Sequence, residues 1–199
     1  MKVYTTDRSD ARASAARVKV GVADYAVAEA GSTLVTSGLG SCVGIALADV
    51  DAGVAGLAHA MLPAAGAERS SSRGDGESNE GKTNVDGADK GGTDGDTRPS
   101  GAKYVDTAIP ALVAEMIELG AARPRIEARL AGGSAMFEFT SRAGAVGERN
   151  VAAARKTLDR HDIPLVASDV GGEHGRSLSF DAASAELSIR RAHGETQVL

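Results

Sequence analysis

The chain has 199 residues, 42 % of them apolar, which is enough for one domain with a buried core and hardly enough for two. With 27 acidic against 22 basic residues the net charge is −5, so a phosphate backbone is repelled on average and nucleic acid is not an expected partner. A single cysteine excludes an intrachain disulfide and argues against a structural zinc site, and no cofactor or metal motif is present.

Along the chain, residues 1–17 read as a flexible N-terminal segment with no apolar export signal. No run approaches the ~18–20 continuous apolar residues of a membrane span. The longest mainly apolar stretch, Val43 to Leu62, is interrupted by Asp49 and Asp51, so the expected location is the cytoplasm, without membrane insertion. Strand character begins at Val18–Val22 and continues in Tyr25–Ala28 and in Thr33–Thr36, which ends at Ser37-Gly38-Leu39-Gly40. Cys42–Ala48 and Val54–Met61 flank an Asp/Gly-bearing turn, Asp49–Gly53, and read as a hairpin of two buried strands. Residues 64–102 are almost devoid of large apolar side chains and read as a long disordered surface loop inserted into the domain.

Helical periodicity follows. Ile109, Leu112, Val113, Met116 and Ile117 share one face of a helix over Asp106–Leu119, with Asp106 or Thr107 as its cap and Gly120 after its end. Ile126, Ala128 and Leu130 alternate as a strand that ends at Gly132-Gly133. A second helix runs over Glu148–His161 with Val151, Ala154 and Leu158 inward. The end of the chain is strand-like again in Leu165–Ala167, Ser177–Phe180 and Glu186–Arg190, before a flexible tail at 192–199. Strands outnumber helices and no regular βαβ alternation is visible, so the class is α+β.

Two residues stand out chemically. Cys42 sits in Gly38-Leu39-Gly40-Ser41-Cys42-Val43-Gly44, where glycines let the chain turn sharply and leave main-chain N–H groups of Gly40 and Ser41 as candidates to hold an oxyanion. His59 interrupts the apolar strand seventeen residues later. Pairing centred on Val50-Asp51 places residue 42 opposite residue 59, within cross-strand reach. A neighbouring imidazolium would lower the thiol pKa and activate it as a nucleophile, and the Thr36 hydroxyl is placed to orient the imidazole. The other histidines, His161, His174 and His193, share no metal-ligand spacing and read as surface residues.

Several motifs resemble the chemoreceptor glutamine deamidase family CheD. They are Thr36–Gly44, Gly56–Pro63, Lys103–Asp106 with Ala108-Ile109, Ala131–Phe137, Gly147–Asn150, and Asp169–Gly172 with Gly175-Arg176. They occur in the family's order over 18–191; the first seventeen residues and the loop 64–102 fall outside the resemblance. It implies a single sandwich-like domain of mixed β-sheets flanked by helices, and a Cys-His-Thr triad at Cys42, His59 and Thr36. The implied reaction converts glutamines of methyl-accepting chemotaxis receptors to glutamate through a thioester, creating methylation sites. A CheC-type CheY-phosphate phosphatase is an implied partner. The alternatives are a non-catalytic chemotaxis adaptor and a receptor methyl-ester hydrolase.

Overall fold

A computed structural model of the protein describes residues 16–65, 102–135 and 146–199. Most of the expected N-terminal segment and of the expected loop 64–102, and the Met136-Phe137 end of one motif, lie outside the described residues.

Five strands come first: β1 (Ala16–Lys19), β2 (Tyr25–Glu29), β3 (Ser32–Leu39), β4 (Val43–Asp49) and β5 (Val54–Ala60). They are followed by α1 (Val105–Glu118), β6 (Glu127–Gly132), α2 (Val146–Arg160), β7 (Leu165–Val170), β8 (Arg176–Asp181), β9 (Leu187–Arg191) and β10 (Thr196–Val198). The strands form two mixed sheets of five, in the orders β1-β3-β8-β9-β10 and β2-β5-β4-β6-β7. β1 runs parallel to β3 and β6 parallel to β7; the other pairs are antiparallel. The parallel pair β6–β7 is bridged by α2, as a parallel neighbour requires. The expected α+β class, with sandwich-like mixed sheets flanked by helices, is what the chain adopts.

The second sheet lies in the middle of three layers, and this explains the composition of its strands. β4 and β5 are buried at every position, so both their faces must be small or apolar. Val43, Ile45 and Leu47 join Ile109, Leu112 and Met116 in a core between that sheet and the helices. Ala46, Ala48, Ala55 and Leu57 face the other way and join Leu34, Leu178 and Phe180 between the two sheets. Gly44 is part of this second interface. A Cβ there would lie 2.4 Å from Leu178 Cδ1 and 3.1 Å from Leu39 Cδ1, so the sheets meet closely only because the side chain is absent.

Five local expectations change. The hairpin register is displaced: β4 and β5 pair as Asp49↔Val54 and Gly44↔His59, so His59 faces Gly44 across the strands and Cys42 lies just before the first paired residue. The reason is a four-residue connection, not a turn centred on Val50-Asp51. Gly53 adopts φ +63° and its N–H donates to Val50 O, while Ala52 N–H donates to the Asp49 carboxylate. Val20–Val22 leaves strand geometry after Lys19, and Val22 is exposed. In α1 the cap position falls on Tyr104, whose side chain does not cap the helix, and Ile117 turns outward at 44 % exposure. Residues 192–199 contain β10, paired to β9.

Candidate active site at the β3–β4 turn

β3 carries Thr36 inward, and the chain then turns through Gly38, at φ +78°, to present Gly40-Ser41-Cys42 before β4 begins. β5 carries His59 into the same inter-sheet layer. The two meet there: Thr36 Oγ1 and His59 Nδ1 are hydrogen-bonded at 2.9 Å, with Thr36 5 % exposed and His59 fully buried. The main chain of His59 is pinned as well, its N–H donating to Asp24 O and its carbonyl accepting from Ala23 N–H. Its remaining ring nitrogen, Nε2, is buried and has no hydrogen-bond partner among the described residues.

Cys42 is half-buried and packs against the inter-sheet core. It stands at the same end of the hairpin as His59, two residues before the position that faces His59, and no hydrogen bond joins the two side chains among the described residues. Burial pushes the Cys42 thiol above its ordinary 9.0, partly opposed by its own backbone N–H. Burial also pushes His59 below its ordinary 6.5. Both shifts favour the neutral thiol and the neutral imidazole over a thiolate–imidazolium pair.

The loop that bears Cys42 is held by its carbonyls. Gly40 O accepts from Ser134 N–H at 2.8 Å and Cys42 O from Gly133 N–H at 2.8 Å. Ser41 O accepts from the side-chain amide of Asn150 at 2.8 Å. The approach of the Gly132-Gly133 turn is closer than any side chain permits. Gly132 has φ +109°, and a Cβ on it would lie 2.4 Å from Cys42 O. Ser134 is fixed in turn: its hydroxyl donates to His174 O at 2.7 Å and accepts from Arg176 Nη1 at 2.6 Å. Arg176 is itself buried on Asp169, with Nη2–Oδ1 at 3.0 Å. Thus Gly40 and Ser41, singled out for their N–H groups, are seen first through their carbonyls.

On the sequence alone Gly133, Ser134, Arg176 and Asn150 carry no assigned role, although all four lie in the motifs quoted above. The Gly-Gly-Ser, Gly-Glu-Arg-Asn and Gly-Arg patterns that contain them are the available signal. Among the described residues no cluster of His, Cys, Asp or Glu could hold a metal, and no helix is long and apolar enough to cross a membrane. A groove of about 620 Å³ on the outer face of the first sheet reaches Thr36 but is lined by neither Cys42 nor His59.

Comparison with known proteins gives consistent matches. The family model described as CheD chemotactic sensory transduction matches residues 88–191. A "probable chemoreceptor glutamine deamidase CheD" of Haloarcula marismortui is 36 % identical over the whole of both chains. A protein of Geobacter metallireducens similarly described is 42 % identical over 87 % of this chain and 92 % of its own. The "chemoreceptor glutamine deamidase CheD" of Bacillus velezensis is 38 % identical over 94 % of this chain and 99 % of its own.

Proposed function

Since the chain belongs to the CheD family, we propose that it is a hydrolase that converts selected glutamine side chains of chemotaxis receptors to glutamate, with Cys42 as nucleophile, His59 as base and acid, and Thr36 as the group that orients His59. The observation that carries the reading is the buried Thr36–His59 pair with a bare Nε2, at the same end of the hairpin as the chain's one cysteine.

Thr36 accepts the Nδ1–H, which leaves the Nε2 lone pair to take the thiol proton. Sulfur then bonds to the side-chain carbonyl carbon of the glutamine, and the carbonyl oxygen becomes an oxyanion. His59 returns the proton to the nitrogen, the C–N bond breaks, ammonia leaves and a thioester remains. Water attacks the thioester while His59 takes its proton, giving glutamate and the thiol. The oxyanion requires donors. In a trans peptide the C=O and N–H point in opposite directions, so carbonyls directed at Ser134 and Asn150 aim the N–H groups of Ser41 and Cys42 the other way. Gly40 takes part through its carbonyl and its missing side chain.

Burial favours the neutral form of both groups, so the proton passes from Cys42 to His59 as the thiol attacks the bound amide and not before. A CheC-type CheY-phosphate phosphatase would meet the chain at the surface that receives the receptor and compete with it.

The test offers the chain two receptor cytoplasmic fragments, one with glutamine at the methylation sites and one methyl-esterified there. Ammonia release and peptide mapping follow the first; methanol release follows the second. Ammonia with glutamine-to-glutamate conversion supports the reading. Methanol alone makes the chain an ester hydrolase, and binding without either product makes it an adaptor.

A further inference from the structure

One residue that touches the Cys42 loop makes or breaks no bond in the chemistry above, yet holds one of the carbonyls it depends on. Asn150, the fifth residue of α2, is fully buried. Its Nδ2 donates two hydrogen bonds of 2.8 Å, one to Ser41 O and one to Met61 O. Ser41 precedes the cysteine and Met61 lies two residues beyond His59, so one amide group ties together the two segments that carry the reacting pair. The orientation of the amide is dictated by its neighbours: two carbonyl oxygens accept only from its nitrogen, since the reversed amide would set oxygen against oxygen. Its Oδ1 is left buried with no partner among the described residues. A side chain that served only to fill this space would carry no such orphan oxygen.

We infer that Asn150 is a positioning residue: it fixes the Ser41–Cys42 peptide so that its N–H faces the developing oxyanion, and holds that peptide in register with the end of β5. The inference rests on the reading of Cys42 as nucleophile. Three successive carbonyls, of Gly40, Ser41 and Cys42, are bound by Ser134, Asn150 and Gly133. Asn150 supplies the only side chain of the three donors, so it is the one that can be removed by substitution.

The test compares two reactions of Cys42 in the full chain. With p-nitrophenyl acetate the thiol adds to the ester carbonyl through an oxyanion, its proton passes to His59, a C–S bond forms and p-nitrophenolate leaves. With iodoacetamide the sulfur displaces iodide and no oxyanion forms. Asn150→Leu keeps the volume and Asn150→Ala does not; both remove the donor. The ratio of acylation to alkylation rates is expected to fall about tenfold to a hundredfold in both, short of the loss of an oxyanion donor outright. A ratio within twofold of wild type in a variant that unfolds cooperatively overturns the inference. Loss of both reactions together, or failure of both variants to fold, also overturns it by assigning Asn150 to the fold alone. Neither reagent is a receptor, so a wild-type chain that never deamidates one would remove the proposed activity and leave this ratio to decide on Asn150.

Discussion

At the scale of single residues, the proposed reacting pair, Cys42 and His59, is shaped by burial more than by charge. The thiol is raised and the imidazole lowered, each because the charged form loses water. Alkylation of Cys42 by iodoacetamide in the free protein should therefore rise with pH through an inflection above 9.0. A rate already level below pH 7 would mean a thiolate–imidazolium ion pair and contradict this account. Thr36 acts through one hydrogen bond, so Thr36→Val, which keeps the shape and removes the hydroxyl, isolates it. A buried Nδ1 without a partner costs about 1–3 kcal/mol of stability, measurable by urea unfolding. Free choice of the imidazole tautomer should lower kcat by about tenfold or more with little change in KM, as loss of an oriented base does. Thr36→Ser should retain most of both. Cys42 and His59 stand out on the sequence because a thiol among glycines and an imidazole in an apolar strand are rare enough to notice, whereas Thr36 alone reads as a strand former and enters the proposed triad through the family resemblance. Asn150 does not stand out, since a polar residue near the start of a helix is ordinary on a sequence and becomes informative only when its two acceptors come from distant segments.

At the scale of elements, the β4–β5 hairpin shows what a sequence can and cannot specify. Its existence followed from two apolar runs around aspartates and a glycine. Its register did not, because it depends on which residues of Asp49–Val54 close the loop, and that is decided by the positive φ of Gly53 and the Asp49–Ala52 hydrogen bond. The displacement keeps residue 42 on the face it was expected to share with His59 but moves it diagonally away, past Gly44. The missing side chain of Gly44 matters doubly: it lets the sheets approach and adds no bulk beside His59. Gly44→Ala brings a methyl against Leu178 and Leu39. The expected cost is about 1–3 kcal/mol, as for other overpacked cores, read as a lower urea midpoint with an unchanged slope. An unchanged midpoint would show that Leu178 moves aside freely. Similar reasoning explains Ile117: helical periodicity alone placed it inward, but α1 is covered on one side only, by the middle sheet and α2, so the outermost position of its apolar arc meets solvent.

For the molecule as a whole, two aspartates bind separate parts of the fold. Asp49, fully buried, accepts from Arg125 and from the Ala122 and Ala52 amides, joining the hairpin turn to the segment before β6. Asp169 of β7 meets Arg176 and Arg191 of the other sheet. Burial alone would raise both carboxyls, but their arginine partners, with the two amides at Asp49, hold them below the ordinary 3.8. A folded-state pKa below the unfolded one adds stability that is complete above the unfolded value, so it should be fully present above about pH 5 and lost as pH falls from about 4 through the depressed values. Urea unfolding midpoints across pH 2–7 should show this loss. Asp49→Asn should be less stable than wild type at pH 7 and should lose less stability on acidification; an equal acid loss in both proteins would remove Asp49 from the explanation. The layered fold was legible only in part. The apolar runs of β4 and β5 marked two buried strands but not their place in a middle layer, and nothing local marked β10, a three-residue strand whose pairing with β9 comes from proximity.

The most direct measurement on the central claim, that Cys42 is the nucleophile, is peptide mapping by mass spectrometry of one receptor cytoplasmic fragment after incubation with the wild-type chain and with Cys42→Ala. The account predicts conversion of specific glutamines to glutamate by the wild-type chain and none by Cys42→Ala, with both proteins folded and both binding the fragment. Equal conversion by the two would contradict it, because the amide would then be hydrolysed without the thiol.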